Sequence, residues 1–258
     1  TAEQQFLTFI TKKGIVKRTK ISAYQNIRTN GIIAIQLRPD DELLNVRLTD
    51  GTKDIILGAS NGKAIRFGET DVRVMGRTAS GVIGMRIDDD EEIVGATIIT
   101  EEAEDILVIT EKGYGKRTDI SEYRRQLRGG KGVKTLNVTE KNGRLCTLKA
   151  VSDEDDLIVV TDKGVVIRTH IDQISKTKRA TQGVKIIRLR PDHHVATIAV
   201  VPKQEDDEEN FDDDPTFIQE RMEMKEDVKM VESVELEAVE VEEEADPTIQ
   251  KESLFDEE

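Results

Sequence analysis

Arginine recurs at fixed places in this 258-residue chain. Phosphate is the chemistry that a lattice of guanidinium groups suits, because its oxygens accept the forked N–H donors in pairs. Four residues after each of Gly14, Gly62, Gly113 and Gly164 stands an arginine: Arg18, Arg66, Arg117 and Arg168. Ahead of Gly31, Gly81, Gly132 and Gly183 stands another, Arg77, Arg128 and Arg179 at four residues and Arg28 at three. Equivalent units would set both series along one side of the molecule. The richest stretch holds Arg124, Arg125, Arg128, Lys131 and Lys134, five cations within eleven residues. Gly129, Gly130 and Gly132 lie between them. A backbone without Cβ can come close to an anion and offer it N–H groups. These residues are the candidate contacts to a polyanion. They do not form a nucleotide loop, since Gly, four residues, then Gly-Lys-Ser/Thr is absent.

The elements that must position these side chains follow from the glycine periods. The first glycine series is spaced 48, 51 and 51 residues and the second 50, 51 and 51. Two markers with one period define a fourfold repeat. In the second unit an apolar run (54–58) leads to Asn61-Gly62, a tight hairpin turn, and then to 63–67. Further strands are expected at 82–87 and 93–99, separated by five acidic residues. Val, Ile and Thr enrichment with punctuating Gly and Asp is strand chemistry. Four strands per unit of this length is propeller arithmetic. The expected fold is all-β, with four-stranded blades at about 5–50, 51–100, 101–151 and 152–202. The first unit starts abruptly at Phe6 and the chain at Thr1 without a Met, so part of a larger ring is expected over a complete four-bladed one.

Charge divides the chain. Residues 1–200 carry a net +5 and residues 201–258 a net −19. A mildly basic body with an acidic tail (203–258) points to a polyanion partner and to a tail that competes with it. The tail is expected to be disordered or transiently helical. One cysteine, Cys146, excludes an internal disulfide framework and a Cys-based zinc site. No run nears eighteen apolar residues and no leader is evident, so neither a membrane span nor export is expected. No Trp and 3% aromatics argue against a base-stacking surface. His193-His194 lacks a third ligand, and no nucleophile with its base can be assembled, so no metal site and no catalytic residue is expected.

Gln126-Leu127-Arg128-Gly129-Gly130-Lys131-Gly132 resembles the box motif of the DNA gyrase A carboxyl-terminal domains, Gln-Arg-Arg-Gly-Gly-Lys-Gly, and only Leu127 departs from it. The stretches Glu111 to Thr118 and Glu69 to Arg73 are similar to blades of the same family. The resemblance covers residues 5 to about 202. It implies a β-pinwheel, with four of six blades present and the principal box upstream of Thr1. The motif at 126–132 would then be a secondary copy. It implies duplex DNA bent around a basic rim, in support of negative supercoiling by an ATP-dependent type II topoisomerase. It further implies that the cleavage tyrosine lies in the amino-terminal part of the gyrase A polypeptide. ATP and Mg2+ would bind elsewhere in the parent enzyme, and this segment would hold no cofactor. The implied partners are double-stranded DNA, the rest of the gyrase A polypeptide and the gyrase B polypeptide, as an A2B2 heterotetramer in a bacterial cytoplasm. The alternatives are the related polypeptide of topoisomerase IV and a propeller that serves only as a protein-binding platform.

Overall fold

Hairpins are the unit of construction in the computed structural model. The model describes residues 5–203, Arg28 and Pro191 excepted. The chain divides into Thr1–Lys203 and Gln204–Glu258, so the expected tail, Lys203 apart, lies outside the described residues. Strands β1 (Phe6–Thr11), β4 (Asp54–Ala59), β8 (Asp105–Thr110) and β12 (Asp155–Thr161) each open a unit. Each turns back into β2 (Ile15–Lys20), β5 (Lys63–Gly68), β9 (Tyr114–Asp119) or β13 (Val166–His170). At the four turns Gly14, Gly62, Gly113 and Gly164 have φ between 78° and 81°, the left-handed region that glycine enters without a Cβ clash. A 3-10 turn follows each second strand. Each unit ends in β3 (Leu43–Thr49), β7 (Ile93–Ile99), β11 (Leu145–Val151) or β15 (Val195–Pro202).

The remaining strands are the two-residue pieces β6 (Val82–Ile83), β10 (Val133–Lys134) and β14 (Val184–Lys185), and each joins the sheet of the preceding unit. The sheet orders are β3-β1-β2-β6, β7-β4-β5-β10, β11-β8-β9-β14 and β15-β12-β13, all antiparallel. The expected strand at 82–87 is therefore a correction. It is short, and it completes its neighbour's sheet rather than its own. The fourth sheet has three strands among the described residues.

Packing explains why β4 and β8 read as unbroken apolar runs. Both are buried on both faces, so neither alternates with polar residues. Ile55 and Leu57 meet Ile10 and Val16 of the first unit, whereas Ile56 between them meets Ile106 and Val108 of the third. Leu107 and Ile109 in turn meet Leu157 and Val159 of the fourth. Each core thus belongs to a joint between blades. Strands β3, β7, β11 and β15 pack against one another, which puts the exchanged strands at the opposite, outer edge. Among the described residues no helix is long and apolar enough to cross a membrane.

Candidate nucleic-acid interface

Of the first arginine series, Arg18 and Arg117 are buried and Arg66 half-buried, and Arg168 alone is exposed. Arg117 is 6% exposed. Its Nε donates to Ile174 O (2.8 Å), Nη2 to Asp172 O (3.2 Å), and Nη1 to Asp105 Oδ2 (3.2 Å) and Asp153. Asp105 also takes Lys176 Nζ of the next unit at 2.7 Å. One unit earlier Arg66 donates to Asp54 (2.9 Å) and to the carbonyls of Ile120 and Tyr123, and Arg125 shares that carboxylate at 3.5 Å. In the first unit Phe6 stands where the aspartate would be. Arg18 there lies over the Phe6 ring at 4.6 Å and 3.6 Å from buried Glu69. Arg168 pairs with Asp156 of its own strand pair, and among the described residues no following unit covers it. The expected outward lattice is therefore corrected for Arg18, Arg66 and Arg117. A planar fork of five donors can satisfy a carboxylate and several turn carbonyls at once, and in Arg66 and Arg117 it latches one blade to the next.

The second series reaches backward. Arg77 Nη1 donates to Ile33 O, Arg128 Nη1 to Ile83 O (3.0 Å) and Arg179 Nη1 to Lys134 O (3.0 Å), each in the preceding unit. These guanidiniums sit at the outer edge and are partly exposed. Arg28 lies outside the described residues. Beneath two of these loops lie buried lysines without a carboxylate partner among the described residues. Lys17 Nζ donates to Ala34 O (2.5 Å) and Arg77 O, and Lys116 Nζ to Arg179 O (2.6 Å) and Lys178 O. Burial pushes both down to about 8, and the neighbouring Arg77 and Arg179 guanidiniums push the same way, while Glu122 partly opposes the shift at Lys116. In the joint between the second and third units Ile65 takes the lysine's place, packed under Gly130.

The glycines of the 126–132 motif also serve that joint. Gly129 N donates to Gly84 O (2.6 Å), Gly130 O accepts from Arg86 N (2.9 Å), and Gly130 bridges to Met85. A Cβ on Gly132, at φ 73°, would stand 2.5 Å from Ala64 O. The close approach made by Gly129, Gly130 and Gly132 is to the preceding blade. The expectation that the Gly129 amide binds an anion is corrected, because that amide already has a partner.

What this clamped loop presents outward is cationic. Arg124, Lys131 and Lys134 are exposed, as is Arg125, and Leu127 is 80% exposed between them. Arg125 is held through Asp54 and Lys134 through Asn137, whereas Arg124 and Lys131 have no carboxylate partner among the described residues. Arg73, Arg86, Lys178, Lys185 and Arg188 are exposed as well, Lys185 on the exchanged strand β14. Extending the glycine alignment would have found several of them. Arg73 stands four residues before Arg77 as Arg124 does before Arg128, and Lys185 two after Gly183 as Lys134 does after Gly132. One cavity beside the axial strands is by contrast net acidic: Asp40, Glu42, Asp89, Asp90, Glu91, Glu92 and Glu111 outnumber Lys12, Lys13 and Arg144 in its lining, and Lys12 and Arg144 are paired with Glu42 and Asp90. Such a surface repels a polyanion.

The family model described as DNA gyrase C-terminal domain, beta-propeller, matches residues 5–50, 53–100, 104–152 and 155–202. The A subunit of DNA gyrase from Staphylococcus aureus (strain MRSA252) is 47% identical over 216 residues, which cover 83% of this chain and 24% of that protein. Its counterpart from strain NCTC 8325 / PS 47 is 46% identical over the same length. The chain thus spans about a quarter of the length of these relatives. A crystal structure of the C-terminal domain of DNA topoisomerase IV superposes with a TM-score of 0.73 at 28% identity, over 77% of this chain and 62% of that one. A structure of a DNA gyrase A C-terminal domain gives 0.69 at 23% identity, over 77% and 66%, a likeness of fold.

Proposed function

This chain belongs to the DNA gyrase C-terminal domain family, and from that premise we propose that its outer edge binds and bends duplex DNA. The supporting observation is the exposed cation row around Arg124, Lys131 and Lys134, carried on loops that the preceding blade clamps in place. Phosphate contacts of this kind give binding that releases counterions and weakens steeply with salt. Smoothly bending a site of about 20–30 base pairs costs on the order of 1–6 kcal/mol. One basic cluster binds DNA without holding a curve. Cations repeated on successive blades can hold it. In this reading the cations address phosphates, and DNA deformability governs site choice.

In this reading the chain serves the gyrase A polypeptide of a bacterial type II topoisomerase. Together with the rest of that polypeptide and the gyrase B polypeptide, it presents wrapped DNA for negative supercoiling. Strand cleavage and the ATP and Mg2+ chemistry reside in other parts of the enzyme, in the cytoplasm. The topoisomerase IV reading draws on the solved domain at 28% identity. The motif at 126–132, complete but for Leu127, favours gyrase.

The experiment is a salt titration of binding to a duplex of a few helical turns. Replacing Arg124 and Lys131 together by Glu is expected to lower the slope of log affinity against log salt by about two, near one per lost phosphate contact. An unchanged slope with a folded protein overturns the proposal.

A further inference from the structure

One backbone hydrogen bond recurs wherever a unit's outer loop meets the unit before it. Gln36 N donates to Ala79 O (3.4 Å), Arg86 N to Gly130 O (2.9 Å) and Asn137 N to Thr181 O (2.8 Å). At the middle joint, between the second and third units, the two segments run parallel with Met85 beside Gly130. Gly129 N on Gly84 O (2.6 Å) pins the same register a second time. The Arg128 guanidinium pins it again, through Asp71 O (2.9 Å) and Ile83 O (3.0 Å).

That register decides which side chains are neighbours. Residues one place beyond a parallel pair are again side by side, on segments about 4.8 Å apart, and they point to the opposite face. Met85 is buried. Arg86 and Lys131 therefore stand together on the solvent side, and both are exposed. Neither has a carboxylate partner among the described residues. Like charges fixed opposite each other on paired segments repel. An anion with two free oxygens turns that repulsion into two charge-assisted hydrogen bonds. The pairs set by the same bond at the other two joints are neutral, Gln36 with Ser80 and Asn137 with Gln182.

We propose that Arg86 and Lys131 hold one phosphate of duplex DNA between them, so that the nucleic acid staples the second blade to the third. This rests on the reading of the outer edge given above and extends it in two ways. One anchor of the site lies outside the 126–132 motif, in the unit before it. Binding is also coupled to the joint: a ligand that needs both blades in register stabilises that register, and a loosened joint binds it less well.

Hydrogen exchange of the 258-residue chain, followed amide by amide with and without saturating duplex, tests the coupling. DNA is expected to slow the Arg86 and Gly129 amides about tenfold more than the Asn137 amide, which closes a neutral joint. In Arg86→Glu the new carboxylate pairs with Lys131 and takes both cations from the phosphate. The excess slowing is then expected to vanish, and the slope of log affinity against log salt to fall by about one. The urea midpoint of that variant without DNA is expected not to fall, because the backbone clamp is untouched and a repulsion is gone. Equal slowing at the two joints overturns the proposal, as does an unchanged slope. A fall in slope of about two gives each cation its own phosphate and overturns the shared site. A lower midpoint makes Arg86 a structural residue and overturns it as well. The two readings fail separately. A slope unmoved by replacing Arg124 and Lys131 removes DNA binding by this edge, whereas a slope that falls there but not in Arg86→Glu removes only the staple.

Discussion

Arg117 and Lys131 lie fourteen residues apart in the third unit. Their surroundings are opposite. Arg117 is enclosed by two carboxylates and two turn carbonyls at the joint with the next blade, whereas Lys131 stands exposed at the outer edge without an ionic partner among the described residues. The more regular of the two arginine series proved the more buried. A repeat copies the joints of an architecture at least as faithfully as its surface, because every blade must be fastened to its neighbour in the same way.

The largest effect expected from breaking this contrast is on stability. Arg117→Met leaves Asp105 with only Lys176 as its ionic partner and strands the turn carbonyls. It is expected to cost about 3–5 kcal/mol in urea unfolding. Lys131→Glu is expected to stay within about 0.5 kcal/mol. Equal stability of the two variants would erase the distinction between latch and contact.

A second test concerns the buried lysines. Lys17 and Lys116 release their protons near pH 8 in the folded chain, whereas the unfolded chain holds them to about 10.5. Between those values the unfolded state binds more protons, so stability rises with pH across that window. Lys17→Met with Lys116→Met is expected to flatten that rise in urea melts taken from pH 7 to 10. The joint with Ile65 serves as an internal control. Its amide exchange is expected to be the same in both proteins, and a change there would disprove the separation of the joints.

The smallest effect sharpens the contrast from the other side. Leu127→Arg completes the motif at an exposed position. It is expected to raise the salt slope of DNA binding by about one and to leave stability within about 0.5 kcal/mol. No rise in slope would mean that position 127 faces away from the duplex.

Much of the fold was legible because its signals are local. The hairpin glycines need positive φ wherever the chain turns so tightly, and the unbroken apolar runs of β4 and β8 announce strands covered on both faces. The destination of residues 82–83 was not legible. A two-residue strand carries the same Val and Ile whether it pairs within its unit or with the one before, and only the contact of Gly84 and Met85 with Gly14 shows which. The candidate site divides in the same manner. The cations at 124–134 stand out by density, and most of them do face solvent. Glycines that promised a cradle for anions turned out to admit the neighbouring backbone.

By itself, the order of residues determined the repeat, the strand-rich class, the turns and the charge of the body, since each depends on neighbours within a few positions or on simple counting. Which arginines are buried latches and which cations remain for a ligand was decided only in three dimensions. A guanidinium carries its charge everywhere, and what it binds depends on the carboxylate of the paired strand and on the carbonyls that turns some fifty residues away bring to it.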